Sequence, residues 1–446
     1  MILRFTVANW RSFRDPATFS LTATRERQHG ERLRHVAKYR LRLLPVAAVY
    51  GGNASGKSSL VEAMAAAQGM ITTTAKTKSA LPIEPFLLDD AWAGRPTRFA
   101  FEVLLGETIY AYTFSATKEA VVEEELTEVL SRSERVLFRR AEQQLEVLDP
   151  QLEEQSRLKF AFDGTDRNQL FLNNAVSQRL HAFDTIYEWF DRRLHIVGPE
   201  SHFGPCRHFF TGEHPLAEPM NKLLRQFDTG ITELGGQPVA PRDVGMPQSL
   251  WDELERDLAD GESRSIHPPE NRSLLIATKH DGQSELIRQV TRHRTAGGTD
   301  VTWDLDRESD GSRRLIDLLP AILQVAASNS SDVLVIDEID RSMHTLLIRS
   351  LLEWYLASRR PDSGAQLIFT THDAMLMDQA LLRRDEMWVT ERDHQGASSV
   401  FSLSDYQDVR YDKDIRKSYL QGRLGGIPRI LLGVSLPAPE EAETLR

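Results

Sequence analysis

Cysteine is almost missing: Cys206 is the only one in 446 residues. An internal disulfide is therefore impossible and a zinc site built from cysteines is excluded, which suits a reducing cytosol. Cys206 itself reads as a small hydrophobe. Long apolar runs are missing too. No stretch approaches the roughly 18 residues that a membrane-spanning helix needs. The opening MILRFTVANW alternates like a strand and has neither the apolar stretch nor the cleavage site of a signal peptide. A cytoplasmic protein with no membrane partner is the expectation. A strong excess of one charge is also lacking. With 54 basic and 65 acidic side chains the net charge is -11, so the surface as a whole does not attract nucleic acid, and any such contact needs a local basic patch. No heptad run is sustained, which excludes long coiled-coil arms. There is no internal repeat, and the only biased tract is an acidic, proline-bearing tail after Leu436, expected to fray.

What is present is ordinary globular material. Hydrophobic residues make up 41% and charged residues 27%, a balance that excludes wholesale disorder. The length exceeds what one core usually serves, so two lobes are expected.

Ile2 to Val7 reads as a strand, with Ala17 to Ala23 as its partner, and the basic stretch 25–42 as loop or short helix. Leu43 to Tyr50 is an apolar run that ends directly in GGNASGKSS, and the good helix former SLVEAMAAAQGM follows. RFAFEVLL, TIYAYTFSA and AVVEEELTEV alternate as strands of an antiparallel sheet, with Gly106-Glu107 at the first turn. Residues 125–165 continue this meander, with a polar, protruding stretch at 132–148. From about Leu180 to Asn271 the pattern is helical, broken by proline and glycine. Strand character returns at Ser273 to Thr278 and Val301 to Leu305. After that a helix at Gly311 to Ala327, the strand DVLVID, a helix at Met343 to Ser358, and the strands QLIFTTH and EMWVTERD succeed one another. Such alternation implies a mainly parallel sheet and an α/β fold.

Three runs carry chemistry. Gly51-Gly52-Asn53-Ala54-Ser55-Gly56-Lys57-Ser58 fits G-x-x-x-x-G-K-[ST] without a mismatch, between a strand and a helix. Glycines let the backbone curl so that successive N–H groups face phosphates. Gly51, Asn53, Ser55, Gly56, Lys57, Ser58 and Ser59 are the expected nucleotide-binding residues. Lys57 would reach the β- and γ-phosphates, Ser58 would ligate magnesium, and the helix adds its positive end. Val333 to Ile336 is apolar and runs into Asp337-Glu338. Ligands bind at the carboxyl ends of such buried strands, so Asp337 is the second expected magnesium residue and Glu338 the one that polarises the attacking water. Ile368 to Asp373 is a further buried strand ending in His372, which either caps the strand or contacts the γ-phosphate. ATP and Mg2+ are the cofactors these runs call for.

Together the glycine loop, the Asp337-Glu338-Ile339-Asp340 run and the Thr370-Thr371-His372-Asp373 run resemble the ABC-ATPase heads of the RecF, SMC and OLD proteins. In that family a signature loop from a second subunit closes over the γ-phosphate. The matching stretch here is Glu308-Ser309-Asp310-Gly311-Ser312-Arg313-Arg314, where Ser309 and Gly311 would offer a hydroxyl and an N–H at a helix start. It departs from the transporters' LSGGQ. Asp340 matches the loop that crosses the dimer interface. Arg11, in NWRSF, serves either as a phosphate contact or as an ion pair at the core edge. The family's sensing glutamine has no match: Gln68 lies on the helix after the loop, and IEPFLLDD contains none.

Closer still, NWRSF, PIEPFLLDD, ESDGSRR, DEIDRSMH, LLRRDEMWVTERD and RKSYLQGRLGGIPRI resemble the compact AAA-type ATP-binding proteins of bacterial phage-defence and abortive-infection systems, among them the ATPase subunits of the PARIS and Septu systems. The resemblance implies an ABC-ATPase head with a mixed sheet, an antiparallel β subdomain and a helical insertion. The expected division is a first part of the head at 1–180, the insertion at 181–272, the second part at 273–436 and a flexible tail at 437–446. It implies an ATP-hydrolysing homodimer, or a higher oligomer, acting as a sensor or scaffold with a separately encoded effector protein. A RecF-like repair or maintenance ATPase working on nucleic acid is the alternative, and nucleic acid stays open as a partner. Arg132 to Arg140 and Arg207-His208 read as solvated faces, and His280, Asp281 and His293 have no metal-ligand spacing.

Overall fold

In the computed structural model, which describes residues 1–73, 79–200, 215–266, 275–327, 330–360, 362–406 and 414–427, the apolar run before the glycine loop is a strand buried along its whole length. Cys206, Arg207-His208 and the expected tail at 437–446 lie outside the described residues. The chain opens with strands β1 (Ile2–Ala8) and β2 (Ala17–Ser20), then a small hairpin of β3 (Arg34–Val36) and β4 (Leu41–Leu43), then β5 (Val46–Tyr50) and helix α1 (Lys57–Thr72). After the single turn α2 (Asp90–Ala93) comes the meander β6 (Thr97–Leu105), β7 (Thr108–Ala116), β8 (Val121–Val129), β9 (Glu134–Ala141) and β10 (Gln144–Leu148). Helices α3 (Gln155–Asp163), α4 (Phe171–Ser177) and α5 (Asp184–Arg192) lead to β11 (Leu194–Val197). Next are α6 (Ala217–Gln226), β12 (Ile231–Pro238), α7 (Gln248–Asp257), β13 (Ser263–Ile266), β14 (Leu275–His280), β15 (Gln283–Arg294) and β16 (Asp300–Asp304). The last part holds α8 (Asp310–Ala326), β17 (Val333–Ile336), α9 (Thr345–Ser358), β18 (Gln366–Thr371), β19 (Met387–Arg392), β20 (Ser398–Ser402) and α10 (Ile415–Leu420).

Three larger sheets result. The central one runs β11-β17-β18-β5-β19-β20, parallel except for β20. It is covered on both faces, which is why its strands read as continuous apolar runs. Ala47, Val49, Val335 and Ile368 face α1, α4, α5 and the meander, while Ala48, Tyr50, Ile336 and Phe369 face α8 and α9. The second sheet runs β10-β9-β8-β7-β6-β1-β2 and is antiparallel, so the opening hairpin and the meander are one sheet. Buried Gln366 ties it to the first: its side chain accepts from Ile2 N at 2.6 Å and donates to the carbonyls of Ile2 and Leu44, both at 3.0 Å. The third sheet is formed by β12 to β16. Among the described residues no helix is long and apolar enough to cross a membrane.

Two expectations need correcting. The stretch 181–272 is not purely helical: besides α5, α6 and α7 it holds β11, an edge strand of the central sheet, and β12 and β13 of the third. Four residues are too few for β11 to show a period, and the Gly235-Gly236 and Pro238 of β12 speak against a strand, yet an edge position tolerates both. Nor is the 132–140 stretch a solvated face throughout. The side chain of Arg140 is fully buried, with Nε 2.8 Å from Oε2 of equally buried Glu124. That carboxylate also accepts from Tyr112 OH at 2.8 Å and from the N–H groups of Phe171 and Leu172 at 2.7 and 3.0 Å, joining the meander to the start of α4.

Removing one member of a buried, hydrogen-bonded ion pair leaves the other charge stranded. Arg140→Leu is therefore expected to lower the unfolding free energy by about 3–5 kcal/mol, read from a urea transition; a change under about 1 kcal/mol contradicts the reading. Glu386, fully buried beside β19, gives a second expectation. Burial pushes its carboxyl up to about 8 from 4.5, Asp385 acting in the same direction and Arg383 against it. Between those two values the unfolded chain has released the proton and the folded chain keeps it, so stability falls as pH rises through this window. Glu386→Gln retains an acceptor for Arg383 N–H and abolishes the titration, so the decline in melting temperature from pH 5 to 8 becomes shallower.

Candidate functional site

The glycine loop leaves β5 between β18 and β19, and its neighbours leave no room for anything larger than glycine at two positions. A Cβ on Gly51 would lie 2.4 Å from Ser55 Oγ and 2.8 Å from Thr390 O; one on Gly56, at φ 111, would lie 2.7 Å from Ser398 Oγ. Ser55 Oγ is 2.6 Å from Thr390 Oγ1, which donates to Tyr50 O at 3.3 Å. Gly52 N–H donates to Gly426 O at 2.7 Å. Lys57 begins α1 and folds back over the loop, donating to Gly51 O at 2.7 Å and Gly52 O at 3.1 Å. Burial holds its ammonium below the usual lysine range, against the pull of Asp337, Asp340 and Glu338.

The two parallel neighbours bring the other residues. Thr370 Oγ1, on β18, donates to Asp337 Oδ1 at 2.5 Å and accepts from Glu338 N–H at 2.8 Å, so one hydroxyl sets the end of β17. Glu338 lies in the left-handed region at φ 52, a conformation that costs a side-chain-bearing residue about 1–2 kcal/mol. His372 follows β18. Its Nδ1 is 3.2 Å from Lys57 Nζ, its Nε2 is 3.4 Å from Glu338 Oε1, and its N–H donates to Asp340 Oδ2 at 2.9 Å. An imidazole that accepts from a lysine at Nδ1 carries its proton at Nε2, facing the Glu338 carboxylate.

Asn53, Ser55, Gly56, Lys57, Ser58, Ser59, Glu338 and His372 thus line one cleft of about 890 Å³, together with Arg11, Leu87, Leu88, Lys118 and Arg392. Gly51 and Asp337 are buried. Ser309 and Gly311 do not line this cleft. They open onto another of about 540 Å³, shared with Ser342 and His344. Ser309 Oγ accepts from Ser312 N–H at 3.1 Å and so caps α8, and a Cβ on Gly311 would lie 2.5 Å from Ser342 O. The residue before the cap, Glu308, is buried and bound to His293 Nε2 and Thr291 Oγ1, each at 2.6 Å. His293 belongs to this contact, while His280 pairs with its neighbour Asp281 at the surface. Among the described residues no cluster of histidine, cysteine or carboxylate could hold a metal on its own.

Arg11 lines the same cleft, pairing with Glu62 on α1 and sitting 3.0 Å from Glu84 at its rim. Gln68 donates to Phe190 O at 2.7 Å and Leu194 O at 2.6 Å, away from the loop. Several residues that position the site lie inside the motif runs but had no role of their own assigned from the sequence. Thr370 and Thr390 are the strongest, and Asn9 is another: its Nδ2 holds the carbonyls of Trp92 and Arg95 at 3.0 and 2.8 Å, and its Oδ1 accepts from Phe86 N–H at 3.1 Å. Thr370 stands one place before the end of β18 and Thr390 two before the end of β19, positions that by themselves name no role.

A protein-family model described as "AAA domain, putative AbiEii toxin, Type IV TA system" matches residues 46–378, well over half of the chain. The chain belongs to this AAA-domain family. The matched stretch contains the glycine loop, the cap of α8, Asp337, Glu338, Asp340 and His372; Arg11, Thr390 and Gly426 fall outside it. No curated protein matches the chain. Among solved structures, the SMC head domain from Thermotoga maritima is similar at 15% identity, over 90% of this chain and 98% of that one, with a TM-score of 0.37. An SMC head bound to the C-terminal winged-helix domain of ScpA is similar at 13% identity, over 90% and 97%, with a TM-score of 0.37.

In this AAA domain the cleft combines the glycine loop, the positive end of α1 and a lysine, the ingredients of a polyphosphate cradle. Beside it Ser58 and Asp337 offer oxygen donors of the kind that suits Mg2+, with the His372 imidazole in the same cleft. The strained Glu338 backbone yields a test. Glu338→Gly relieves the left-handed conformation at the cost of glycine's greater freedom when unfolded, and is expected to raise the nucleotide-free unfolding free energy by about 0.5–1 kcal/mol. Destabilisation in the same denaturation measurement would mean that the side chain, not the backbone, sets the stability of this turn.

Proposed function

We propose that the chain is an ATP-binding and ATP-hydrolysing switch that works as a dimer. The observation that carries this reading is the line Lys57–His372–Glu338 across the mouth of the glycine loop, with spacings of 3.2 and 3.4 Å. A γ-phosphate seated on the loop would replace the carbonyl oxygens now holding Lys57. Gly51, Asn53, Ser55, Gly56 and Ser59 would wrap the phosphates, and Ser58 and Asp337 would hold Mg2+, which neutralises charge on the β- and γ-oxygens. Glu338 would then orient and polarise a water for attack, with the Nε2 proton of His372 directed at the same region.

Ser309 and Gly311 support the dimer. They line a different cleft from Lys57 within one chain, so a second copy is needed to bring this helix start over the phosphate, and Asp340, bound to His372 N–H, would lie at that crossing. Two copies of the head, each built from 1–180 and 273–436 with β11 contributed by the inserted stretch 181–272, are proposed to close over the nucleotide. The ligand would stabilise the closed pair only through its differential affinity for that state. The family's description as a putative AbiEii toxin of a type IV toxin–antitoxin system supports a place in defence; the role of sensor or scaffold beside a separately encoded effector rests on the motif resemblance alone.

The test compares wild type with Glu338→Gln and Lys57→Ala. Glu338→Gln is expected to lose about 10²–10⁴-fold in ATP turnover while accumulating a Mg·ATP-bound dimer by light scattering, and Lys57→Ala to form none. A dimer that assembles equally well without nucleotide, or a Glu338→Gln that turns over at the wild-type rate, would remove the switch.

A further inference from the structure

The segment after β20 touches the glycine loop directly although it lies beyond the stretch matched by the family model. Gly426 O accepts two hydrogen bonds, from Gly52 N–H at 2.7 Å and from Tyr419 OH at 3.1 Å. Both lone pairs of that carbonyl are therefore used, and its direction is fixed from two sides. The backbone around it has no slack. Gly425 and Gly426 stand at φ 68 and 71, and a Cβ on them would lie 2.5 Å from Glu391 Oε2 and 2.4 Å from Val389 Cγ1. Tyr419 is buried at 6% exposure on α10, within the same apolar cluster as Val389 and Tyr50. Helix α10 also packs on the turn Ala374–Leu376 that follows His372, and Arg416 reaches Met375 Sδ at 3.4 Å.

Gly52 opens the loop's first turn, which Ser55 N–H closes on its carbonyl at 3.3 Å. Gly52 N–H and Gly51 C=O belong to one peptide unit, and the carbonyls of Gly51 and Gly52 hold Lys57 Nζ, so the peptide plane that Gly426 orients carries one of the two carbonyls that hold the lysine. We propose that residues 415–427 are a positioning strap: Gly426 O, held in place by Tyr419 OH, sets the first turn of the glycine loop and with it the readiness of the loop to take a nucleotide. The same helix rests on the histidine turn, so the strap spans the two loops that face each other across the cleft. This inference rests on the loop binding Mg·ATP.

The test uses the full chain and three variants: Tyr419→Phe, which keeps the ring and removes the hydroxyl; Gly426→Ala, for which there is no room; and Lys57→Ala as the non-binding control. Affinity for Mg·ATP is measured by titration calorimetry, and melting temperature is measured without nucleotide. Tyr419→Phe is expected to weaken Mg·ATP about three- to tenfold, the size of one lost hydrogen bond, with the nucleotide-free melting temperature close to that of wild type. Gly426→Ala is expected to weaken it further. A purely structural segment would behave the other way, lowering the melting temperature and leaving affinity unchanged. If Gly426→Ala fails to fold, Tyr419→Phe still decides. Wild type that binds Mg·ATP beside a Tyr419→Phe that binds equally well overturns the strap alone; wild type that does not bind removes the nucleotide reading and the strap with it.

Discussion

Everything in this molecule that bears on chemistry depends on the burial of β5. The strand is covered on both faces and paired with β18 on one edge and β19 on the other, so none of its backbone groups faces water. Its neighbours run parallel to it, and parallel strands deliver their carboxyl ends to one side of a sheet. Once β5 is central, the glycine loop, the carboxylates after β17 and the histidine after β18 have to meet. The register fixes how closely: Thr371 is opposite Tyr50 and Phe369 opposite Ile336.

Given that meeting, hydroxyls do the fine placement. Thr370 holds Asp337 and the Glu338 peptide, and Thr390 holds Ser55 and Tyr50 O. Each sits within a buried strand and makes more than one bond, so its position follows the sheet and not a flexible loop. The backbone at Glu338 is left-handed, and Thr370 Oγ1 accepts its N–H, which is how the sheet sustains a conformation the residue would not choose alone.

The central sheet was largely legible because long apolar runs and amphipathic helices state their period: α1, α8, α9, β17, β18 and β19 all lie where the pattern places them. The glycine loop was legible because its spacing is tied to a single backbone shape. What escaped is short or contradicts local preference. Leu194–Val197 offers four residues after an arginine pair, and Ile231–Pro238 carries two glycines and a proline and is still an edge strand. Arg140 looked like surface because nothing in a basic run reveals that Glu124, on the neighbouring strand, will share its burial. Arg11 was open between two roles, and its pairing with Glu62 and Glu84 at the rim of the cleft is a matter of tertiary placement that no local pattern states.

The glycine loop is held from far along the chain in both directions. Trp10 Nε1 donates to Ser59 O at 3.0 Å, Ser398 N–H donates to Ser12 O at 2.7 Å, and Gly426 takes the N–H of Gly52. A ribosome that has made the polypeptide as far as His372 has supplied the glycine loop, Asp337, Glu338 and His372, yet β19, β20 and the segment around Gly426 do not exist at that moment. The loop at that stage lacks one flanking strand and one of its anchors. The anchors of the pocket are therefore complete only once the chain has been made as far as Gly426.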